Sequence, residues 1–225
     1  MPKKKSIEFF PVKKPITAPV TKFGGQPNWL EKPEWPLSKA NGEPMRFIGQ
    51  IALEPELFGN IPGRMAYLFI TDDPDVDDTW SPEGGENALI IQPGITEIKT
   101  EPLSKGPTFY RMVKKLFGAF TLPETLEFGA RLSLGDDPEW TDDADKAKLP
   151  EDAMEALNKS LAGNKIGGVP GFLQGDEFPD GGPWKLVLQL DSANVPFDVN
   201  FGDAGIGYAF ISEDGKRGRF LWQCC

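Results

Sequence analysis

Apolar and polar residues alternate along several short stretches of this chain. Phe47, Gly49, Ile51 and Leu53 alternate with Arg46, Ile48, Gln50 and Ala52, and Leu186, Leu188 and Leu190 alternate with Lys185, Val187 and Gln189. A period of two puts successive side chains on opposite faces of a strand. Residues 65–71 and 207–212 have the same pattern, with Tyr and Phe on one face, and further strands are predicted at 88–92, 126–134 and 219–223. Two segments carry helical spacing instead. Phe109, Met112, Val113, Leu116 and Phe117 predict a helix over 108–117. A second is predicted over 150–162, where Pro150 suits the first turn, Glu151 and Asp152 complement the helix dipole and Gly163 supplies a stop. Residues 141–149 are polar and predict an exposed linker. The first 20 residues hold four prolines and five lysines and predict an extended arm.

The predicted strands recur. Residues 22–30 (KFGGQPNWL) match 165–173 (KIGGVPGFL), residues 44–51 (PMRFIGQI) match 183–190 (PWKLVLQL), and Tyr67-Leu68-Phe69-Ile70-Thr71 matches Tyr208-Ala209-Phe210-Ile211-Ser212. Three collinear matches at nearly one spacing imply an internal duplication with pseudo-twofold symmetry, and two copies are too few for a solenoid or propeller. The expected fold is mainly β, a β-rich α+β arrangement of roll-like antiparallel sheets with about two helices. The expected organisation is an arm over 1–20 followed by one domain over 21–225, its first copy at about 21–140 and its second at about 160–225. The 25 glycines and 22 prolines fit many short strands joined by turns.

Composition narrows the function. A formal net charge of −10 disfavours nucleic acid and anionic membranes as partners and favours basic ones; simple solubility is the competing explanation. No apolar run is long enough for a membrane span and none follows the basic N-terminus as a signal peptide would require. The two cysteines, Cys224 and Cys225, are adjacent, which is poor disulfide geometry, so a reducing cytoplasm is the expected compartment. The chain contains no histidine. That removes the commonest general base, the Ser-His and Cys-His nucleophile pairs and the commonest zinc ligand. No catalytic residue, metal or cofactor is expected.

Several motifs invite chemistry and have a structural alternative. Gly24-Gly25 and Gly167-Gly168 lack the spacing of a phosphate-binding loop, and with Pro27 and Pro170 they read as tight turns. In the run Asp72, Asp73, Asp75, Asp77 and Asp78, alternate aspartates fall at calcium-loop spacing. However, Asp78 stands where such a loop needs Gly and Gly84 where it needs Glu. The run is a solvated loop or a docking patch for a basic partner. Gln50 and Gln189 are matched between the copies. Either each ties down the backbone of its own Gly-Gly turn or the pair lines a cleft on the pseudo-twofold axis. No pair among the 34 carboxylates is singled out for glycosidase chemistry.

The motifs together resemble the YwqG-like family of bacterial domains of unknown function. The resemblance is carried by Lys22-Phe23-Gly24-Gly25-x-Pro27, Trp35-Pro36, Pro44-Met45 and Phe47-Ile48-Gly49-Gln50-Ile51. Towards the C-terminus it is carried by Ile166-Gly167-Gly168-x-Pro170 with Gln174, Leu188-Gln189-Leu190-Asp191, Gly202-Asp203-Ala204-Gly205, Phe210-Ile211 and Trp222-Gln223-Cys224. It spans about 20–225, leaves about 95–160 unmatched and implies a mainly β roll with no transferable catalytic residues. It also implies a cytoplasmic protein-binding role, such as an immunity protein neutralising a basic toxin domain. A small-ligand or enzymatic domain using the cleft between the copies is the alternative.

Overall fold

Strands that are apolar on both faces must be covered on both sides, and this requirement shapes the molecule. The structure, a computed structural model, describes residues 1–115 and 120–225, with the backbone alone at 115 and 120. In chain order the strands are β1 (Lys3–Pro11), β2 (Lys22–Gly24), β3 (Trp35–Pro36), β4 (Arg46–Ala52), β5 (Met65–Ile70), β6 (Asn87–Gln92) and β7 (Thr100–Glu101). They continue as β8 (Tyr110–Lys115), β9 (Phe120–Thr125), β10 (Glu127–Asp136), β11 (Lys165–Gly167), β12 (Trp184–Asp191), β13 (Ile206–Ser212) and β14 (Gly218–Gln223). The helices are α1 (Pro55–Phe58), α2 (Asp143–Lys146) and α3 (Glu151–Leu161). The fold is mainly β.

Ten strands form one sheet in the order β14-β13-β12-β11-β1-β10-β2-β4-β5-β6, antiparallel at every step. A twisted sheet of this width curls or splits, and this one curls until β14 packs on β6. The seam is close. A Cβ on Gly218 would lie 2.1 Å from the Leu89 carbonyl oxygen, and Ile95 N–H donates to Lys216 O at 2.8 Å. The interior of the roll is one apolar core drawn from both ends of the sheet, including Ile48, Leu68 and Leu89 on one side and Val187, Leu190 and Ile211 on the other. The outer face needs separate cover. Trp29, Trp35 and the β3–β7 pair pack on Phe47, Tyr67 and Phe69, and Phe172 and Trp184 pack on Leu186, Tyr208 and Phe210.

The sheet has matching registers on its two sides. Gln50 faces Tyr67 in β4–β5, and Gln189 faces Tyr208 in β12–β13. Both ladders slip at a bulge, between Phe47 and Gly49 and between Leu186 and Leu188. The bulges correct the simple alternation expected from the sequence. Phe47 belongs to an outer cluster while Ile48 and Ile51 point inward, and Leu186 is outer while Val187 and Leu188 are inner. One extra residue in a strand flips every side chain beyond it to the other face.

The helix expected over 108–117 is not formed by the described residues of that range. Residues 110–115 are β8, paired with β9 in a hairpin, while Leu116 and Phe117 lie outside the described residues. The apolar positions on the two faces of the hairpin imitate helical spacing. The predicted helix over 150–162 is present as α3, with Pro150 at its N-cap position. The polar segment 141–149 is mostly exposed and contains the single turn α2, capped by Asp142. Of the residues expected to form an extended arm, Lys3–Pro11 are extended as β1, while bends interrupt 12–20. β1 lies between β10 and β11, in the middle of the sheet.

Candidate functional site

The repeated Lys-apolar-Gly-Gly motif builds two similar corners where a short strand leaves the sheet. Gly24, Gly25, Gly167 and Gly168 all have φ between 66° and 76°, the left-handed region that favours glycine. Crowding adds to the requirement: a Cβ on Gly24 would lie 2.4 Å from Leu126 O, and one on Gly168 would lie 2.2 Å from Asp137 Oδ2. The motif lysines are buried, and each is neutralised. Lys22 Nζ donates to Glu127 Oε1 at 2.8 Å, Gln26 O at 2.7 Å and Ile16 O at 3.1 Å. Lys165 Nζ donates to Asp137 Oδ2 at 2.8 Å, which also accepts from Val169 N–H. The Lys4 ammonium sits 2.5 Å from Asp137 Oδ1, while its hydrogen bond goes to Ser160 O. Burial pushes the Lys165 amine down to about 8 against the upward pull of Asp137.

Gln50 and Gln189 are fully buried and anchor the coils beyond these corners. The Gln50 amide donates to Val20 O and its oxygen accepts from Asn28 N–H; the Gln189 amide donates to Leu161 O and Gly163 O and its oxygen accepts from Gly171 N–H. Tyr67 donates to Asn28 O and Tyr208 to Gly171 O, and burial holds both hydroxyls above their ordinary range. Neither glutamine lines either of the two large clefts described below. A further pair, Gln92 and Gln223, was not apparent in the sequence. Gln92 binds Glu31 N–H and Lys32 O, and Gln223 binds Leu173 and Gln174 N–H and Gly175 O.

The other motif residues are spread through the fold, with Gln174 exposed. Pro27, Pro36 and Pro170 are buried, and the Trp35 indole donates to Met45 O inside an outer cluster. Gly205 lies where a Cβ would be 1.7 Å from Phe201 O. Asp203 is exposed and accepts the Cys225 N–H through its backbone; Trp222 is half-buried.

The acidic run is gathered elsewhere, on the loop after β5. Asp72 pairs with Arg46 Nη1 at 3.0 Å, Asp73 accepts from Asn41 and from Asp75 N–H, and Asp75, Asp77 and Asp78 are exposed. Asp72 and Arg46 wall a cleft of about 650 Å³ whose apolar lining includes Phe109, Tyr110, Met112 and Phe197. Its far wall, Val195 to Asp198, follows β12 and crosses from the other side of the sheet; Phe197 stacks on Phe23 and Phe109. A smaller recess of about 180 Å³ adjoins it, lined by Arg46, Asp72, Asp73 and Asn200. Arg46 is the central residue here, which the sequence did not single out. It is 92% buried, since 8% remains exposed, its Nε has no hydrogen-bond partner among the described residues and its guanidinium lies 5.4 Å from the Phe109 ring centre. No group of three or more metal-ligating side chains occurs among the described residues, and no helix among them is long and apolar enough to cross a membrane.

These features define a β-roll with buried lysine–carboxylate corners and an acid-rimmed cleft between its two sides. The chain belongs to the family described as Domain of unknown function (DUF1963), whose model matches residues 21–222. No curated protein matches the chain.

Proposed function

We propose that this protein is a non-catalytic binding domain that receives a basic protein segment in the cleft between Arg46–Asp72 and Val195–Asp198. The observation that carries this reading is the combination of an apolar floor with an acidic rim. Tyr110 and Met112 are 59% and 56% exposed at the cleft, and Asp72, Asp73 and Asp198 line it or its adjoining recess, with Asp75, Asp77 and Asp78 on the same loop. Protein interfaces pair a desolvated aromatic centre with a charged rim. The rim sets encounter rate and partner choice, while the apolar centre sets lifetime. Occlusion of a toxin's basic active-site cleft by a cytoplasmic immunity protein is the specific form we favour. Kinship with YwqG-like domains and an origin by internal duplication belong to the same proposal, and the matched registers of β4–β5 and β12–β13 support the duplication.

The test starts by capturing the partner from the source cell and then measures association across salt concentrations. Replacing Asp72, Asp73, Asp75, Asp77 and Asp78 with Asn keeps the turn-forming side chains, because Asn tolerates the φ of 63° at Asp78. This variant should associate about tenfold more slowly at low salt and lose most of its salt dependence. Tyr110→Ser with Met112→Ser should instead speed dissociation. Unchanged rates and salt slopes in both variants would refute the reading.

A further inference from the structure

A second cleft, of about 420 Å³, lies at the other corner and differs in charge from the first. Its walls are set by the same logic. Lys185 in β12 faces Ile211, as Arg46 in β4 faces Ile70. The far wall here is Leu57 of α1, which follows β4 and crosses to this side. The first cleft's cation is neutralised by Asp72, two residues beyond Ile70. The corresponding residue beyond Ile211 is Glu213, and it does not line the second cleft. None of the described lining residues is a carboxylate, although the chain has 34 of them and a net charge of −10. Lys3 and Lys185 line the cleft, are exposed and form no ion pair among the described residues.

The walls are aromatic. Trp140 and Phe178 meet edge to face with ring centres 5.2 Å apart and remain 38% and 42% exposed, and Trp184 adds a third ring. Such a volume suits a small molecule, flat rings favour a flat apolar body, and two unpaired ammonium groups favour an anion. We propose that this cleft binds a small aromatic carboxylate, with its ring against Trp140, Phe178 and Trp184 and its carboxylate held by Lys3 and Lys185. This site is separate from the acid-rimmed cleft, and neither proposal depends on the other.

Isothermal titration of the full chain with 2-naphthoate, its neutral amide and 2-naphthylmethylammonium tests the assignment. The expected result is saturable one-to-one binding of 2-naphthoate, roughly tenfold weaker binding of the amide and still weaker binding of the cation. Lys3→Gln with Lys185→Gln should reduce 2-naphthoate affinity to that of the amide. Both lysines are exposed, and far-ultraviolet circular dichroism checks that the variant keeps its fold. Tyr110→Ser, in the other cleft, should bind 2-naphthoate as the wild type does. Failure of the wild type to bind 2-naphthoate saturably, equal affinity for the three probes, or an unchanged double-lysine variant would overturn the proposal.

Discussion

Individual buried groups give this protein a shaped pH response. Lys165 is harder to protonate in the fold, at about 8, than in the unfolded chain, at 10.5. Between those values the unfolded state binds more protons, so stability rises with pH, by at most about 1.4 kcal/mol per pH unit for one group. Tyr67 and Tyr208 act at higher pH. Burial keeps their hydroxyls protonated in the fold while the unfolded chain ionises near 10, so stability falls above 10. Lys5, held above 10.5 by its hydrogen bond to Glu54, adds to the fall only beyond that value. The Met1 amine, raised by Glu139, opposes the climb above pH 8, but it is fully exposed and screened. Denaturant unfolding from pH 7 to 11 should therefore show a rise above pH 8 and a decline above 10. Lys165→Met should flatten the rise, and Tyr67→Phe with Tyr208→Phe should delay the decline; a wild-type profile flat across this range would contradict the assignment. The motif lysines were legible as letters of a repeat, but their role was not. Their carboxylates, Glu127 and Asp137, lie 105 and 28 residues away, so no common spacing links them. Arg46 was likewise inside a matched block, but its importance comes from the cleft, which only the crossing of Phe197 creates.

At the level of elements, the seam between β6 and β14 is the joint on which the roll depends. Gly218→Ala would push a methyl against the Leu89 carbonyl, which belongs to the backbone and cannot rotate away. We expect a loss of about 1–3 kcal/mol in unfolding free energy. Gly135→Ala in β10, where an added Cβ meets nothing within 4 Å, should be neutral; equal effects of the two substitutions would show that the seam is not tight. Most strands were legible because β4, β5, β6, β12 and β13 carry β-branched and aromatic residues in short runs bounded by turns. Two features were not. A bulge leaves no mark in a hydrophobic pattern, so the inward turn of Ile48 and Val187 was hidden. The β8–β9 hairpin read as a helix because Met112 and Val113, adjacent in sequence, serve opposite faces.

For the whole molecule, the strand that joins the two sides of the sheet lies outside the region that defines the family, since the match begins at residue 21 while β1 ends at Pro11. Deletion of residues 1–12 should abolish cooperative unfolding, because it exposes the pairing edges of both β10 and β11 and uncovers Phe23 and Phe197, which pack on Phe9. A truncated protein with the wild-type unfolding midpoint would show that β1 is dispensable. The prolines and lysines of residues 1–20 predict an extended arm, whereas the alternation of Ile7 and Phe9 with polar residues is what seats β1 in the sheet. Its position also sets the timing of biosynthesis. β1 is synthesised before β10, and the stretch between Pro11 and Glu127 delays its partner by on the order of ten seconds at about 5–20 residues per second. Until then Ile7 and Phe9 have no partner strand, and the first four strands of the opposite sheet end are synthesised beside an unpaired segment that must not join them. The nascent protein therefore stays open until β11 and its successors emerge, and refolding from denaturant should be slow in the manner of chains whose contacts are mostly distant.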